Sequence, residues 1–155
     1  MKILNALPSM GKPLSEEGVG RFLESKLNVQ IATIDESGEP VIQPVWFYYD
    51  RQGNKIYVET SRESKKVHNI RKRPSVYFSV DDESFPYKGA KGKGTARILE
   101  DVSSNVPLAE KIMMKYVGTL DHPTSKMLMD NVRNGTSVIL EITPRFFSTW
   151  DMSRP

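Results

Sequence analysis

Short segments rich in β-branched and aromatic residues, separated by turn residues, narrow the range of folds open to this chain. Val29–Ile34, Val41–Tyr49 and Lys55–Thr60 each have the length and composition of a strand. The connections at 35–40 and 50–54 contain glycine beside polar and charged residues, which is typical of turns. Because strands joined by such short turns usually pair with their neighbours, we expect these three to form an antiparallel meander.

The same alternation continues along the chain and is interrupted by short helices. Ser15 is expected to cap a first helix. A short basic helix is expected to begin at Ser61 or Arg62 and to end before Pro74. Two later helices are predicted at Pro107–Val117 and Thr124–Arg133. Further strands are predicted at Ser75–Asp81, Gly89–Glu100, Thr136–Ile142 and Arg145–Trp150.

These elements predict a single domain over residues 1–155, mainly β and of the α+β class. About six or seven strands with few helices favour a closed or half-closed antiparallel β-barrel with flanking helices. The pattern alone leaves a generic α+β sandwich open, because both folds are built from short alternating strands.

The composition excludes several kinds of site. The chain has no cysteine, which excludes disulfides, thiolate metal ligands and cysteine nucleophiles. Only His68 and His122 offer imidazole, so we expect no metal site. The net charge of +3 suits anionic ligands but is well short of a nucleic-acid-binding tail. No apolar run reaches the roughly 18 residues of a membrane span, and Asn5 and Pro8 interrupt the first segment, so we expect a cytoplasmic protein without a membrane partner.

A cluster of hydroxyl and lysine side chains marks the junction between the third strand and the basic helix. Backbone N–H groups and hydroxyls at a helix start bind phosphate well, and adjacent lysines add positive charge. The cluster consists of Thr60, Ser61, Ser64, Lys65 and Lys66. Taken alone, the same residues also suit an ordinary helix cap followed by solvated lysines.

A second cluster lies in the preceding strand, at Gln43, Pro44, Val45 and Trp46. Proline lacks a backbone donor, so Pro44 indicates an edge strand or a bulge. The free backbone groups of an edge strand can hydrogen-bond a flat heteroaromatic ring, beside which Trp46 and Phe47 can pack. A plain core strand with one proline at its margin is the alternative.

The order of these motifs resembles that of the pyridoxamine 5'-phosphate oxidase-like split-barrel family. The resemblance covers most of residues 18–152. It is carried by Glu36-Ser37-Gly38-Glu39-Pro40, Pro44-Val45-Trp46-Phe47, Tyr57-Val58-Glu59-Thr60, Ser64-Lys65-Lys66 and Arg73-Pro74-Ser75-Val76.

The resemblance implies an antiparallel split β-barrel that binds FMN. It assigns the flavin phosphate to Thr60, Ser64, Lys65 and Lys66, and the ring to Gln43, Pro44, Val45 and Trp46, largely through backbone atoms. Family members complete the site with a second subunit, which implies a homodimer. The candidates for that second side are Tyr87, Lys88 and Trp150.

The sequence departs from true pyridoxamine 5'-phosphate oxidases at its last residues. Those enzymes end in an extended segment whose arginines bind substrate and flavin phosphates. This sequence ends in Trp150-Asp151-Met152-Ser153-Arg154-Pro155, and Arg154 alone is a poor substitute. The difference argues against vitamin B6 oxidation but not against the fold.

A run of alternating glycine and lysine, from Lys88 to Gly94, is the third feature. Gly92 and Gly94 should face one side of the strand, and Lys91 and Lys93 the other. A related branch of the family binds the deazaflavin coenzyme F-420, whose acidic tail requires a basic groove. Solvated lysines on a closely packed strand are the alternative.

The leading hypothesis is an FMN-dependent oxidoreductase that uses NAD(P)H or a small-molecule substrate. No catalytic residue is assigned, because the flavin carries the hydride chemistry. The alternatives are a deazaflavin-dependent reductase and a non-catalytic flavin-binding or electron-carrier protein. A barrel that binds single-stranded nucleic acid comes third, since few aromatic residues accompany the lysines, and we expect no nucleic-acid partner.

Overall fold

Residues 1–153 are described by a computed structural model, in which they form eight strands and four helices. The strands are β1 (Ile3–Asn5), β2 (Val29–Ile34), β3 (Pro40–Val45), β4 (Tyr48–Asp50), β5 (Lys55–Ser61), β6 (Ser75–Asp82), β7 (Lys88–Leu99) and β8 (Ser137–Asp151). The helices are α1 (Glu16–Glu24), α2 (Lys65–Lys72), α3 (Val102–Tyr116) and α4 (Pro123–Arg133). Arg154, which the sequence analysis weighed as a phosphate ligand, lies outside the described residues.

The strands form one sheet in the order β3-β2-β6-β7-β8-β5-β4, and every neighbouring pair along this path is antiparallel. The short strand β1 pairs with β8 in parallel and lies off this path. The sheet is therefore open rather than a closed barrel. With its four flanking helices, it confirms the predicted α+β class and split-barrel fold.

The two antiparallel pairings of the predicted meander are confirmed, but its middle strand is interrupted. Val41–Tyr49 is two strands: β3 pairs with β2, whereas β4 pairs with β5, which continues to β8. The break falls at Trp46 and Phe47 because α3 engages both residues. The Trp46 ring stacks on Tyr116 with ring centroids 4.9 Å apart. The backbone N–H of Phe47 donates to Tyr116 Oη at 3.3 Å and so cannot join a ladder.

Two helix starts also differ from the prediction. Helix α2 begins at Lys65 because Ser64 caps it, its Oγ accepting from the Val67 backbone N–H. Helix α3 begins at Val102, where the Asp101 carboxylate accepts from the Ser104 N–H at 3.1 Å. Pro107 therefore lies inside α3 and not at its start.

The two strands predicted near the end of the sequence are one strand of 15 residues, β8. Its pairing with β7 shifts register between Lys93 and Gly94, which is how a continuous strand accommodates Pro144 and Arg145. The glycines of β7 face inward, as predicted, and allow close packing. A Cβ on Gly92 would lie 2.2 Å from the Phe146 carbonyl oxygen.

The sheet separates two apolar clusters. The larger one includes Leu23 of α1, Ile70 of α2 and Phe147 of β8. The smaller one lies beneath α3 and α4 and includes Ile112, Met129 and Ile139. Helices α2 and α3 are thus fixed against the sheet on either side of the break after β3, which positions the predicted site residues.

Candidate functional site

Strand β3 is an edge strand, as Pro44 predicted. It pairs with β2 alone among the described strands, with Pro44 opposite Gln30. The side chains of Gln43 and Pro44 are exposed, and Val45 is half-buried. The free edge of β3 therefore offers backbone groups to a ligand at the point where the chain turns away toward β4.

A buried lysine joins this edge to helix α2. Lys66 is 5% exposed, and its Nζ donates to Gln43 Oε1 at 3.0 Å. Burial lowers the pKa of the Lys66 ammonium, while the charge of Glu59 opposes that shift. Burial likewise raises the pKa of Glu59, against its hydrogen bond to Ser137. The contact brings the two predicted motifs, 23 residues apart in the chain, into one place.

A cavity of about 440 Å³ opens at the start of α2. Ser64 and Lys65, two residues of the predicted phosphate cluster, line it. Arg62, His68 and Arg71 also line it, and the sequence analysis had not assigned them a role. The signal was available, because Lys65, His68 and Arg71 recur every three residues and so share one face of the helix.

Carboxylates contact the two arginines and the lysine of this cavity. Arg62 and Arg71 both contact Glu100 Oε1, and these two guanidinium groups lower the pKa of that carboxyl. Lys65 Nζ lies 3.4 Å from Glu36 Oε1. Both members of the Lys65 pair are exposed, so the pair is weak and a doubly charged anion can displace it.

The two remaining residues of the predicted phosphate cluster support the helix cap. Thr60 is buried, and its Oγ1 donates to Ser64 Oγ at 3.4 Å. Ser61 is exposed, and its Oγ accepts from the Glu63 backbone N–H at 3.3 Å. Together with the hydrogen bond from the Ser64 backbone N–H to the Ser61 carbonyl oxygen, these contacts stabilise the turn that precedes α2.

The aromatic residues after β3 have different exposures. One face of the Trp46 ring is covered by Tyr116, and the side chain stays partly exposed. Phe47 is fully buried, with Lys115 Nζ 3.6 Å above its ring. Trp46 is therefore available to a ligand beside the edge, whereas Phe47 belongs to the core.

Tyr87, Lys88 and Trp150 form a second cluster. The rings of Tyr87 and Trp150 lie 5.4 Å apart, and Lys88 pairs with Asp151 in the sheet. Strands β2 and β6 separate this cluster from β3, and no described contact joins it to Gln43 or Ser64. Trp150 Nε1 is buried and has no hydrogen-bond partner among residues 1–153.

Residues 1–153 contain neither a cluster of metal-ligating side chains nor a helix that could span a membrane. No group of three His, Asp or Glu side chains within residues 1–153 is placed to hold a metal ion. None of the four helices combines the length and the hydrophobicity needed to cross a membrane.

Comparison with solved structures gives several close matches in fold. The conserved hypothetical protein Rv2991 from Mycobacterium tuberculosis superimposes with a TM-score of 0.78 at 25% identity, covering 93% of this chain and 88% of that one. An F420 reductase matches at 27% identity with a TM-score of 0.65, covering 83% of this chain and 94% of its own. An FAD-binding protein from Mesorhizobium loti shares the fold at 17% identity and a TM-score of 0.65, over 89% and 95% of the two chains.

Comparison at the level of sequence identifies the family. No curated protein matches this chain. The sequence profile described as pyridoxamine 5'-phosphate oxidase matches residues 15–151, which include β3, α2 and both clusters described above. On this match and on its fold, the chain belongs to the pyridoxamine 5'-phosphate oxidase family of split-barrel proteins.

Proposed function

We propose that this protein is a flavin-dependent oxidoreductase that binds FMN between the edge of β3 and the start of α2. The observation that carries the proposal is the hydrogen bond from Lys66 to Gln43, which fixes the ring-binding edge relative to the phosphate cavity. The donor set fits a phosphate monoester: Ser64 hydroxyl, the Lys65 ammonium and the Arg62 guanidinium surround a cavity of about 440 Å³.

In this arrangement each group has one task. Ser64 and Lys65 bind the phosphate, and Arg62 completes the positive side of the cavity. The exposed edge of β3 at Gln43 and Pro44 binds the polar margin of the ring through backbone atoms. Trp46, which stacks on Tyr116 and stays partly exposed, would pack beside the ring and limit the approach of water.

When bound, FMN supplies the hydride or electron transfer, which accounts for the absence of a recognisable catalytic triad in the sequence. The protein supplies orientation and a partly dry surface, and the electron donor is NAD(P)H or a small-molecule substrate. A protein that only carries flavin needs the same residues. An enzyme would oxidise NADH or NADPH repeatedly, with its flavin reoxidised in each cycle. A carrier would show no such turnover.

The proposal includes a homodimer in the cytoplasm. Tyr87, Lys88 and Trp150 form a second binding surface that one chain does not bring to β3. Large apolar side chains on the same side of the sheet are exposed, including Ile42 at 68% and Tyr77 at 54%. In a two-fold symmetric dimer that buries these side chains, the Tyr87–Lys88–Trp150 surface of one subunit would lie against strand β3 of the other.

The deazaflavin coenzyme F-420 is the second candidate cofactor, and two observations favour it. An F420 reductase is 27% identical to this chain over most of both lengths. The side chains of Lys91 and Lys93 project from the outer face of β7, with Lys93 Nζ 5.7 Å from the centroid of the Tyr77 ring. An acidic tail is attracted to such a face.

The absorption spectrum of the purified protein, followed by mass measurement of the released cofactor, tests the proposal. A flavin spectrum with the mass of FMN supports it. Release of a compound with the mass of the deazaflavin coenzyme would identify that coenzyme as the cofactor in place of FMN. At least tenfold tighter binding of the coenzyme than of FMN in a competitive titration would do the same. A colourless protein that binds neither compound contradicts the proposed function.

A further inference from the structure

A cavity of about 710 Å³ lies between α1, β4 and α3. It shares no lining residue with the cavity at the start of α2, so the proposed flavin site does not use it. Its wall includes apolar side chains, Leu23 and Met114, an aromatic ring, Tyr48, and the amines of Lys111 and Lys115. A cavity of this size accommodates a small organic molecule.

Lys115 provides an unusual amine in this wall. Its Nζ donates to the Leu23 carbonyl oxygen at 3.0 Å and lies 3.6 Å above the buried Phe47 ring. The ring face favours the charged amine, but burial outweighs it and lowers the pKa of Lys115 to about 8, with the Glu24 carboxylate opposing the shift. At pH 7 roughly a tenth of this amine is neutral, against about three parts in ten thousand for an ordinary lysine.

Lys111 adds a second amine one helical turn away. Its Nζ lies 4.9 Å from the centroid of the Tyr48 ring. Neither Lys111 nor Lys115 forms an ion pair within residues 1–153, whereas Arg51 in the same wall is paired with Glu24 at 2.9 Å. The Asp50 carboxylate also lines the cavity and accepts from the Gln52 and Gly53 backbone N–H groups. The cavity therefore holds one cation without a direct ion pair, Lys111, beside one amine that loses its proton near neutral pH.

We propose that this cavity binds a small aldehyde carrying an anionic group, with Lys115 as the nucleophile and Lys111 as the partner of the anion. The lone pair of neutral Lys115 Nζ attacks the carbonyl carbon and forms a carbinolamine. The two hydrogens of the amine leave with the carbonyl oxygen as water, and a C=N bond replaces the C=O bond. No electrons are gained or lost.

The surroundings of the two lysines favour covalent capture over simple anion binding. A site built only for an anion keeps its lysines charged by placing them near solvent or carboxylates. Here burial against Leu23 and Phe47 acts in the opposite direction on Lys115 alone. Amines that are desolvated in this way are the ones that form Schiff bases with carbonyl compounds.

Reductive trapping tests the proposal on the intact protein. The protein is incubated at neutral pH with 4-carboxybenzaldehyde and cyanoborohydride, which reduces the imine to a stable secondary amine, and the modified lysine is located by peptide mass mapping. We expect Lys115 to be labelled at least tenfold faster than any other lysine. The variant Lys115→Arg should lose this fast phase while its circular dichroism spectrum stays unchanged.

A second comparison distinguishes a binding site from an amine that is merely reactive. The variant Lys111→Gln should slow the capture of 4-carboxybenzaldehyde several-fold and leave the capture of uncharged benzaldehyde unchanged. Lys126→Gln, an exposed lysine of α4, should alter neither rate. Labelling spread evenly over the lysines, or fastest at the buried Lys66, overturns the proposal. An equal effect of Lys111→Gln on both aldehydes overturns its anion-binding half.

Discussion

At the scale of single residues, the adjacent lysines at the start of α2 have opposite surroundings. Lys65 is exposed and lines the cavity, whereas Lys66 is buried and bound to Gln43. In the proposed site, Lys65 therefore contacts the phosphate directly. Lys66 acts on the ring side instead, because it sets where the edge of β3 stands relative to the helix.

Lys65→Ala is expected to weaken FMN binding about tenfold and to leave riboflavin binding nearly unchanged. Its ammonium meets only the phosphate, and one charge-assisted hydrogen bond at an exposed position accounts for a loss of this size. Titration of the apoprotein with both ligands, followed by flavin fluorescence, measures the difference. Lys72→Ala, in the last turn of the same helix, is the control. An equal loss for both ligands contradicts the assignment.

Lys115 should contribute to the free energy of unfolding a stabilising amount that grows as the pH rises from about 8 to 10. Its pKa is lowered to about 8 in the folded protein from 10.5, so the unfolded chain binds more protons in this range. Deprotonation of the folded protein removes the penalty of burying the charge. The free energy of unfolding, measured with urea at several pH values in this range, should rise with pH less steeply for Lys115→Met than for the wild type. Identical slopes contradict the shift.

The sequence predicted some local features of the candidate site, but not how its residues are arranged in space. Pro44 predicted the edge strand because a missing N–H is a local property of one residue. The burial of Lys66 could not be predicted, because it depends on where β3 stands relative to α2. Arg62 was missed for the same reason, because its contact with Glu100 joins segments 38 residues apart. Arg71 was missed although its three-residue spacing from His68 and Lys65 indicated that it shares their helix face.

At the scale of elements, β7 depends on glycines that let β8 approach closely. A Cβ on Gly92 would lie 2.2 Å from the Phe146 carbonyl oxygen and 2.8 Å from the Phe78 ring. The backbone atom cannot move without breaking the β7–β8 ladder, in which Gly92 is opposite Phe147. The residue at this position is therefore restricted by packing and not by backbone conformation.

Gly92→Ala is expected to destabilise the protein by about 1–3 kcal/mol, since overpacking of a tight site costs this much. Urea denaturation measures the change from the shift of the midpoint. Lys91→Ala, the exposed neighbour on the same strand, should change stability by no more than about 0.5 kcal/mol. A Gly92→Ala protein as stable as the wild type would show that β8 can shift away from β7 without loss of stability.

Strands with strong local patterns were predicted with nearly correct bounds, and the errors lie where distant residues decide. Strand β2 matches the predicted Val29–Ile34, and α4 begins within one residue of its prediction. The break between β3 and β4 was missed because it depends on Tyr116, about 70 residues away. The continuity of β8 was missed because Pro144 suggests an interruption, which β7 absorbs by shifting register.

At the scale of the whole molecule, exposed apolar side chains on the β3–β2–β6 face are the main feature without a partner in the described chain. The exposed Ile42 and Tyr77, together with the buried Phe78, line a shallow apolar depression of about 170 Å³. Apolar surface of this kind marks an interface more often than a solvated face. The proposed homodimer covers it.

Ile42→Glu is expected to convert the dimer to a monomer of about 17.6 kDa and to weaken FMN binding at the same time. A charge at this 68%-exposed position is tolerated by the monomer but not by an apolar interface. Light scattering measures the mass, and fluorescence titration measures the affinity. Met127→Glu, at a 57%-exposed position on α4, is the matched control and should change neither. A monomeric wild type with flavin bound contradicts the dimer.

Strand β8 also dictates when this protein can fold during its synthesis. It pairs with β1, β5 and β7, yet every one of those strands leaves the ribosome before it does. Until β8 emerges, β5 and β7 each keep an unpaired edge, and the two halves of the sheet have no strand between them. The nascent chain therefore cannot complete its sheet before β8 has been translated, and folding must follow that step.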